Sequence, residues 1–357
     1  MAETTNTTPA APAMPRPWAP VQRDYPITPR ENLMLAMNHM KPLWMPNLAA
    51  SSQLFGSKIA NESPPAHMRM VDTTDWFGVN YKFSAAYGSN TPQGNVMECV
   101  TEWKEKVIWP DIDQFDWETE AKEFLEGRDE SLALYMRMSN GLFERLHMIE
   151  GFDAALTDIL LEPEAVQDYL FAIADFKIDL FNHMRDHLDL DYIICADDWG
   201  TMRAPFFSVD TFKKTILEPT KRFVKGVHDR GTKFVAHCCG VIEPFVPYMV
   251  EEIGFDVLEI QNDLNDIDAI FSKYGDHVTI ECNPLVNLPR NAEITDKEAR
   301  KLAHKLVDNY GAHTMRGPGA LATFFSPVDH VYYSLEEEIY EYSKLCYEET
   351  PSKFERT

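Results

Sequence analysis

Two residues two positions apart, His237 and Cys239, carry the clearest signal for chemistry. They lie in KFVAHCCG, residues 233–240, an apolar run that ends in glycine. Alternate residues of a strand point to one face, so these two side chains would share a face and Cys238 would point away. Imidazole and thiolate suit Zn²⁺, and a catalytic zinc site keeps one coordination position open. The spacing predicts a pair of zinc ligands; the alternative is that both residues pack in the core.

A third protein ligand would complete such a site, and Cys282 is the candidate. It ends VTIEC, residues 278–282, and Glu281 stands beside it. Only one of these two neighbours can face inward in a regular strand. We choose Cys282 because a second thiolate makes the ligand set softer and more selective for zinc. Glu281, Glu259 and Asp198 stay open as carboxylate alternatives.

Carboxylates at two other strand ends could act as acids or ligands. Asp198 lies in CADDWG, residues 195–200, beside Asp197, and Glu259 lies in DVLEIQ, residues 256–261. A carboxyl group placed there can carry a proton in catalysis or bind a metal. We therefore assign catalytic roles to Asp198 and Glu259. The alternatives are a helix cap for either aspartate and a hydrogen bond at the barrel mouth for Glu259.

Aromatic side chains form the candidate substrate-binding surface. Residues 50–110 are rich in Gly, Asn, Pro and aromatic residues and show no long helical pattern, which predicts an elaborated lid. Trp76, Phe77 and Tyr81 lie in this segment, and Trp199 follows the paired aspartates. We expect these four side chains to line a pocket for a planar ligand. The alternative is that the aromatic residues of the lid form a small core of their own.

Alternating strands and helices must hold these groups in place. From about residue 121, apolar runs of strand length alternate with amphipathic helical segments, the pattern of parallel βαβ units. The runs are 132–138, 192–198, 233–240, 256–260, 278–282 and 313–319. With a strand at 43–48 and one more in the lid, they predict the α/β class and a (β/α)₈ TIM barrel with an elaborated N-terminal lid. The active site of such a barrel lies at the C-terminal strand ends. An open doubly wound sheet is the alternative, but the sequence has no glycine-rich nucleotide loop.

Composition and charge limit the partners and the location. The chain has 357 residues, with 57 Asp and Glu against 33 Lys and Arg, a formal net charge of −24. This charge disfavours nucleic acids and anionic membranes as partners, and no apolar run reaches the ~20 residues that span a bilayer. Residues 1–20 predict a disordered tail rather than a signal peptide, which leaves 21–357 as a single barrel domain. Six scattered cysteines predict a reducing, cytoplasmic location.

Several segments resemble the uroporphyrinogen decarboxylase superfamily, over about residues 27–345. The most specific are AHCCGVIEPFVPYMVEEIGFDVLEIQ and YIICADDWGT; TPRENLMLAMNHMKPLWMP, DWFGVNY and WPDIDQFDW add to the resemblance. The resemblance implies a (β/α)₈ barrel. True decarboxylases of this superfamily carry an Arg-Gln-Ala-Gly-Arg motif that holds the tetrapyrrole carboxylates. Residues 47–55 read NLAASSQLF here, without arginine.

The other branch of the superfamily comprises zinc-dependent methyltransferases that work with corrinoid proteins. Their His-x-Cys ligands map onto His237 and Cys239. In the branch that acts on coenzyme M, the third ligand is a cysteine near the last strand, and the corresponding TMRGPGALATFF has none. The resemblance extends, in length and overall pattern, to the methyltransferase component of O-demethylases. It implies Zn²⁺ as a Lewis acid, a methoxylated aromatic as methyl donor, and cobalamin carried by a separate corrinoid protein. Methyl transfer to a thiol and a tetrapyrrole-binding barrel are the alternatives. The sequence is also compatible with a homodimer.

Overall fold

A computed structural model describes residues 23–64, 71–84, 89–286, 288–289, 292–314, 317, 319–324, 326 and 328–349. The tail predicted for residues 1–20 lies outside the described residues. No helix in the described part of the chain is long and apolar enough to cross a bilayer.

The strands form a parallel barrel and a small antiparallel sheet. They are β1 Ser52–Phe55, β2 Thr73–Thr74, β3 Asn80–Ser84, β4 Ser89–Gln93, β5 Ala133–Met138, β6 Tyr192–Ala196, β7 Lys233–Cys238, β8 Val257–Ile260, β9 Thr279–Cys282 and β10 Leu321–Ala322. Seven strands pair in parallel in the order β1-β5-β6-β7-β8-β9-β10, whereas β2, β3 and β4 pair in the antiparallel sheet.

The segment before β1 closes the barrel. Asn47 bridges to Ala322 of β10 in parallel, and two backbone hydrogen bonds hold this bridge: Leu48 N donates to Ala322 O at 2.9 Å, and Ala322 N donates to Pro46 O at 2.8 Å. The chain then continues into β1, which pairs with β5 and ends at Phe55, eight residues after Asn47. The first and last strands of the sheet are thus joined, which confirms the predicted α/β barrel.

Helices follow the strands and cover the outside. They are α1 Pro29–Met37, α2 Trp103–Lys106, α3 Trp117–Leu125, α4 Leu142–Glu150, α5 Phe152–Leu161, α6 Pro163–Arg185, α7 Val209–Thr215, α8 Leu217–His228, α9 Val246–Tyr248, α10 Ile267–Tyr274, α11 Asp296–Tyr310 and α12 Asp329–Glu348. The pattern over 211–231 predicts one helix, but the structure has two. Pro219 explains the break, because it has no N–H to donate to the carbonyl of Thr215, four residues earlier.

The sequence predicted the wrong positions for two of the strands. The segment 43–48 contributes only the bridge at Asn47, and the first strand is β1, whose short sequence SQLF gives a weak pattern. The segment 313–319 is not a strand among its described residues. It begins within a 3₁₀ turn, Ala312–Thr314, and the last strand is β10, two residues beyond the segment.

The barrel interior is apolar at its lower, N-terminal end. Leu33, Ala36 and Met37 of α1 pack there against inward side chains that include Val235 and Leu321. Helix α1 therefore closes this end. The alternate residues of the strands pack outward against the helices in a second, larger cluster. These two clusters show which face of each strand points inward, and they leave the C-terminal end for polar groups.

Buried ion pairs fasten the N-terminal lid to the barrel helices. Arg145 of α4 binds Asp75 at 2.7 Å, and both side chains are almost wholly buried. Lys177 of α6 binds Glu62 at 2.7 Å. The hydroxyl of Tyr81 donates to Asp75 at 3.0 Å. The elaborated lid predicted from the sequence is thus present and packed onto α4 and α6.

Candidate metal centre

The C-terminal ends of β6 and β7 bring together three possible metal ligands. His237 Nε2 lies 3.4 Å from Cys239 Sγ, and the backbone N–H of Cys239 donates to Asp198 Oδ1 at 2.7 Å. One ligand atom from each of Asp198, His237 and Cys239 lies within 4.8 Å of the other two. All three residues are half-buried. The structure therefore assembles the predicted His-x-Cys pair with Asp198 beside it.

Two glycines allow the β6 and β7 loops to touch at this point. Gly240 follows Cys239 with φ +88°, and a Cβ there would lie 2.2 Å from the carbonyl carbon of Gly200. A Cβ on Gly200 would lie 2.5 Å from the carbonyl oxygen of Val241. Only glycine fits at either position. Gln261, from the β8 loop, accepts a hydrogen bond from Gly240 N at 2.6 Å and steadies the contact.

The two aspartates of CADDWG have different partners. Asp197 is buried and accepts hydrogen bonds from the N–H groups of Leu142, Phe143 and Glu144, at 2.8–3.2 Å. It therefore caps α4, which precedes β6, rather than the helix that follows. Burial raises the pKa of Asp197 to about 6, although these helix N–H groups favour the ionised form. Its neighbour Asp198 faces the candidate metal ligands.

Glu259 contacts the histidine rather than the ligand cluster. His237 Nδ1 lies 2.9 Å from Glu259 Oε1, and both side chains are about one quarter exposed. A carboxylate at Nδ1 fixes the orientation of an imidazole and leaves Nε2 for a metal. The structure thus supports a positioning role for Glu259, through His237.

Cys282 does not join the cluster. In β9, Glu281 pairs with Leu321, which packs inside the barrel, whereas Cys282 packs in the outer cluster under the helices. The sequence prediction placed the wrong member of this pair inward, because the register of β9 with β10 could not be seen. Asp198 therefore replaces Cys282 as the third candidate ligand.

Glu281 is the inward residue and lies in the barrel mouth. Its side chain is buried, and its Oε2 has no hydrogen-bond donor among the described residues. Burial, followed by the negative charge of Glu259, raises the pKa of Glu281 well above its ordinary value. The mouth thus contains an interacting pair of carboxyl groups beside the metal ligands.

The aromatic residues predicted to bind substrate are packed in the interior. Phe77, Tyr81 and Trp199 are each exposed by less than 5%. Trp76 is half-buried and stacks on Phe115, with ring centroids 5.1 Å apart. The aromatic residues of the lid thus form a core of the lid itself, which was the alternative to a substrate pocket. Large aromatic side chains are most stabilising when they are wholly buried.

Three residues near the site were missed in the sequence. Tyr135 and Arg137 lie on the inner face of β5, where alternation along LALYMRM could have placed them; Tyr135 packs with the apolar lower cluster and Arg137 lies above it. Glu144 lies at the start of α4, and no spacing in the sequence links it to the site. Burial and the charges of Asp197 and Asp198 raise the pKa of Glu144 to about 8.

The chemistry of the three donors fits Zn²⁺. A thiolate, an imidazole and a carboxylate are all zinc ligands, and three of them leave one position open. The two anionic donors, Asp198 and Cys239, would balance the charge of a divalent cation, and Glu259 already holds the imidazole. Residues 145–327 of this chain, just over half of it, match the family model for uroporphyrinogen decarboxylase (URO-D).

The chain belongs to the uroporphyrinogen decarboxylase family.

Among solved structures, a methyltransferase from Methanosarcina mazei is similar to this family member. The TM-score is 0.65 at 13% sequence identity, and the match covers 88% of this chain and 99% of that chain. At this identity the likeness shows a shared fold. No curated protein sequence matches the chain.

Proposed function

We propose that this protein transfers a methyl group from a small methoxylated aromatic to the Co(I) of a separate corrinoid protein, with Zn²⁺ in its site. The observation that carries the proposal is the cluster of Asp198, His237 and Cys239 at the barrel mouth. The zinc-dependent branch of the superfamily uses the same His-x-Cys pair. A barrel mouth is also where a partner protein could deliver its cofactor to the reacting group.

Each residue has a stated task in this proposal. Asp198, His237 and Cys239 would hold the ion, and Glu259 would keep His237 Nε2 directed at it. Bound zinc would supply Lewis-acid activation of the ether oxygen, which lowers the cost of the phenolate leaving group. The methyl–oxygen bond would break with its electron pair left on the oxygen, and the phenolate would take up one proton from solvent. The Co(I) of the corrinoid protein is the methyl acceptor and would supply the electron pair of the new bond.

Two alternative functions predict different behaviour. Residues 47–55 lack the arginines that hold the carboxylates of an octa-acidic tetrapyrrole in true decarboxylases, and the net charge of −24 would oppose such a substrate. Methyl transfer to a thiol would use the same zinc site with a different substrate. The single-domain boundary at residue 21, the homodimer and the cytoplasmic location stay predictions.

A panel assay tests the proposal. The purified protein is analysed for zinc and then mixed with a Co(I) corrinoid protein and one methyl donor at a time: methoxyarenes, methyl thioethers or methylamines. Methylation of the cobalt is followed by its visible spectrum. We expect about one zinc per chain, as in three-ligand catalytic sites, and activity with methoxyarenes. Activity restricted to thioethers would favour the thiol alternative, and no zinc under conditions that retain it in a control enzyme would contradict the proposal.

A further inference from the structure

An arginine side chain, Arg137, lies on the inner face of β5, near the C-terminal end of this strand. Ala133 and Tyr135 pack with the residues inside the barrel, whereas Met136 and Met138 pack outward. Alternation therefore places Arg137 on the inner face, one residue before the end of β5. Its side chain is exposed, so it reaches the open mouth rather than the packed interior.

The backbone of Arg137 pairs in the sheet, but its side chain has no hydrogen bond or ion pair with any residue in the part of the chain that the structure describes. The chain has 57 acidic and 33 basic residues, so carboxylates are plentiful. Arg30, Arg145 and Arg300 all bind carboxylates. The positive charge of Arg137 acts on Tyr135 and Glu281, where it opposes the effect of burial, which raises the pKa of both groups. The guanidinium therefore shares the mouth with Glu281 and binds no carboxylate of the described residues.

An apolar floor lies beneath this cation. Leu54 pairs in register with Tyr135 and is 43% exposed, although it lies on the inner side of β1. Its inward direction follows from its neighbours: Phe55 packs outward, and Ser52 accepts a hydrogen bond from Tyr192 inside the barrel at 2.7 Å. Tyr135 stacks on Tyr192 with ring centroids 4.9 Å apart. An aliphatic and an aromatic side chain thus lie one layer below Arg137, two residues nearer the N-terminal ends of the strands, and form an apolar floor beneath it.

The register relates this surface to the metal ligands. Arg137 pairs with Ile194, which pairs with Val235, and His237 lies two residues further along β7. One strand separates β5 from β7, which is about 10 Å across the sheet, and the two-residue offset adds about 7 Å along it, so the two residues start about 12 Å apart. An aromatic ring with substituents at both ends fits such a span.

We propose that Arg137 binds the carboxylate of the methyl donor, so that the substrate is a methoxylated aromatic acid whose ring packs against Leu54 and Tyr135. A guanidinium matches a carboxylate with two parallel hydrogen bonds, and one that has no partner among the described residues can form both with a ligand. Apolar walls with a single charged anchor are typical of pockets for small molecules. This inference rests on the proposed function, since it names the substrate class of the same site.

The test compares an acid with its neutral amide of the same shape. Binding of benzoate and benzamide to the zinc-loaded protein is measured by calorimetry. Methyl transfer from 3-methoxybenzoate and 3-methoxybenzamide to the corrinoid protein is measured in parallel. The variants are Arg137→Gln, Arg137→Lys and, as matched control, Arg128→Gln. Arg128 precedes β5, at the opposite end of the barrel.

We expect the wild-type protein to prefer both acids. Hydrogen bonds to a charged group are lost in Arg137→Gln, so kcat/KM for the acid should fall about 10- to 100-fold, while kcat/KM for the amide changes less than about 3-fold. Arg137→Lys should keep part of the preference, and Arg128→Gln all of it. Each variant is also checked for zinc content and thermal unfolding, so that a folding defect is seen directly.

Three results would overturn the inference: no preference for the acids in wild type, an equal loss for acid and amide in Arg137→Gln with zinc retained, or the same loss in Arg128→Gln. The experiment also distinguishes a failure of the proposed function from a failure of this inference. If benzoate binding depends on Arg137 but no donor methylates the corrinoid protein, the anion site stands and the methyl-transfer proposal is wrong. If neutral methoxyarenes react without any dependence on Arg137, only the present inference is wrong.

Discussion

His237 and Glu259 stand opposite each other on adjacent strands, in register, with Nδ1 and Oε1 2.9 Å apart. This pairing turns the other ring nitrogen, Nε2, towards Cys239. Because β7 and β8 hold both side chains, the imidazole is oriented before any ion binds. Such pre-orientation stabilises a metal site, since less freedom is lost on binding.

The first prediction concerns this carboxylate. Glu259→Ala should lower zinc affinity about 10- to 100-fold, the range usual for carboxylates that orient a histidine ligand. The zinc affinity of each variant is measured by competition with a chelator of known affinity. Glu259→Gln, whose amide oxygen can still lie beside Nδ1, should lose less affinity than Glu259→Ala. Equal affinity in wild type and Glu259→Ala would show that the contact has no role in metal binding.

The paired aspartates should separate metal binding from folding. Asp198→Asn should lose zinc and keep its unfolding free energy in the metal-free state, because Asn can still accept from Cys239 N. Asp197→Ala should keep zinc but lower the unfolding free energy by about 1–3 kcal/mol, since it leaves the N–H groups of α4 without their acceptor. Denaturant unfolding and metal analysis are run on both variants. Zinc loss in Asp197→Ala alone would reverse the assignment.

The lid contact at Arg145 should be costly to break. Both partners are buried, so Arg145→Ala leaves the charge of Asp75 without its cation and should lower the unfolding free energy by about 3–5 kcal/mol. Arg222 forms an exposed pair with Asp175, and Arg222→Ala should cost less than about 1 kcal/mol. Urea unfolding compares the two variants. A loss below about 1 kcal/mol at Arg145 would mean that the pair does not hold the lid.

A buried carboxyl group outside the metal site should make stability depend on pH. Both oxygens of Glu150 lack a donor among the described residues, and burial beside Asp158 raises the pKa of Glu150 to about 8, from 4.5. The folded state therefore holds an extra proton between these values, and the unfolding free energy contributed by this group falls as pH rises from about 4.5 through about 8.

Glu150→Gln should remove this dependence. The variant should be more stable than wild type at pH 8.5, by about 1–3 kcal/mol, with a smaller gain at pH 5.5. Denaturant unfolding at the two pH values measures the difference. Glu341→Gln, at an exposed position of α12, is the control and should change little. A gain that is equal at both pH values would contradict the proton-linked explanation.

The barrel and part of the site could be predicted from local patterns. The alternation of apolar runs and helices gives the βαβ order, and the two-residue spacing of His237 and Cys239 gives their common face. Asp198 was among the candidates for the third ligand. These features depend on residues close together in the sequence, which is why the pattern is enough.

The errors concern features that depend on distant partners. The inward choice between Glu281 and Cys282 is set by pairing with β8 and β10, not by ligand softness. Phe77 and Tyr81 are buried because α4, some 60 residues later, supplies Arg145 for Asp75. Arg137 could have been found by counting alternate residues of β5, but its lack of a partner is visible only in the folded chain.

Adjacent cysteines provide the most direct test of the metal centre. Cys239 faces His237, whereas Cys238 is buried on the opposite side of β7. Zinc content and methyl transfer are measured on Cys239→Ala and Cys238→Ala, purified identically, with Cys282→Ala as a second buried control. We predict that Cys239→Ala loses both zinc and activity, while the other two keep both and lose at most a few kcal/mol of stability. Normal zinc and activity in Cys239→Ala would contradict the account.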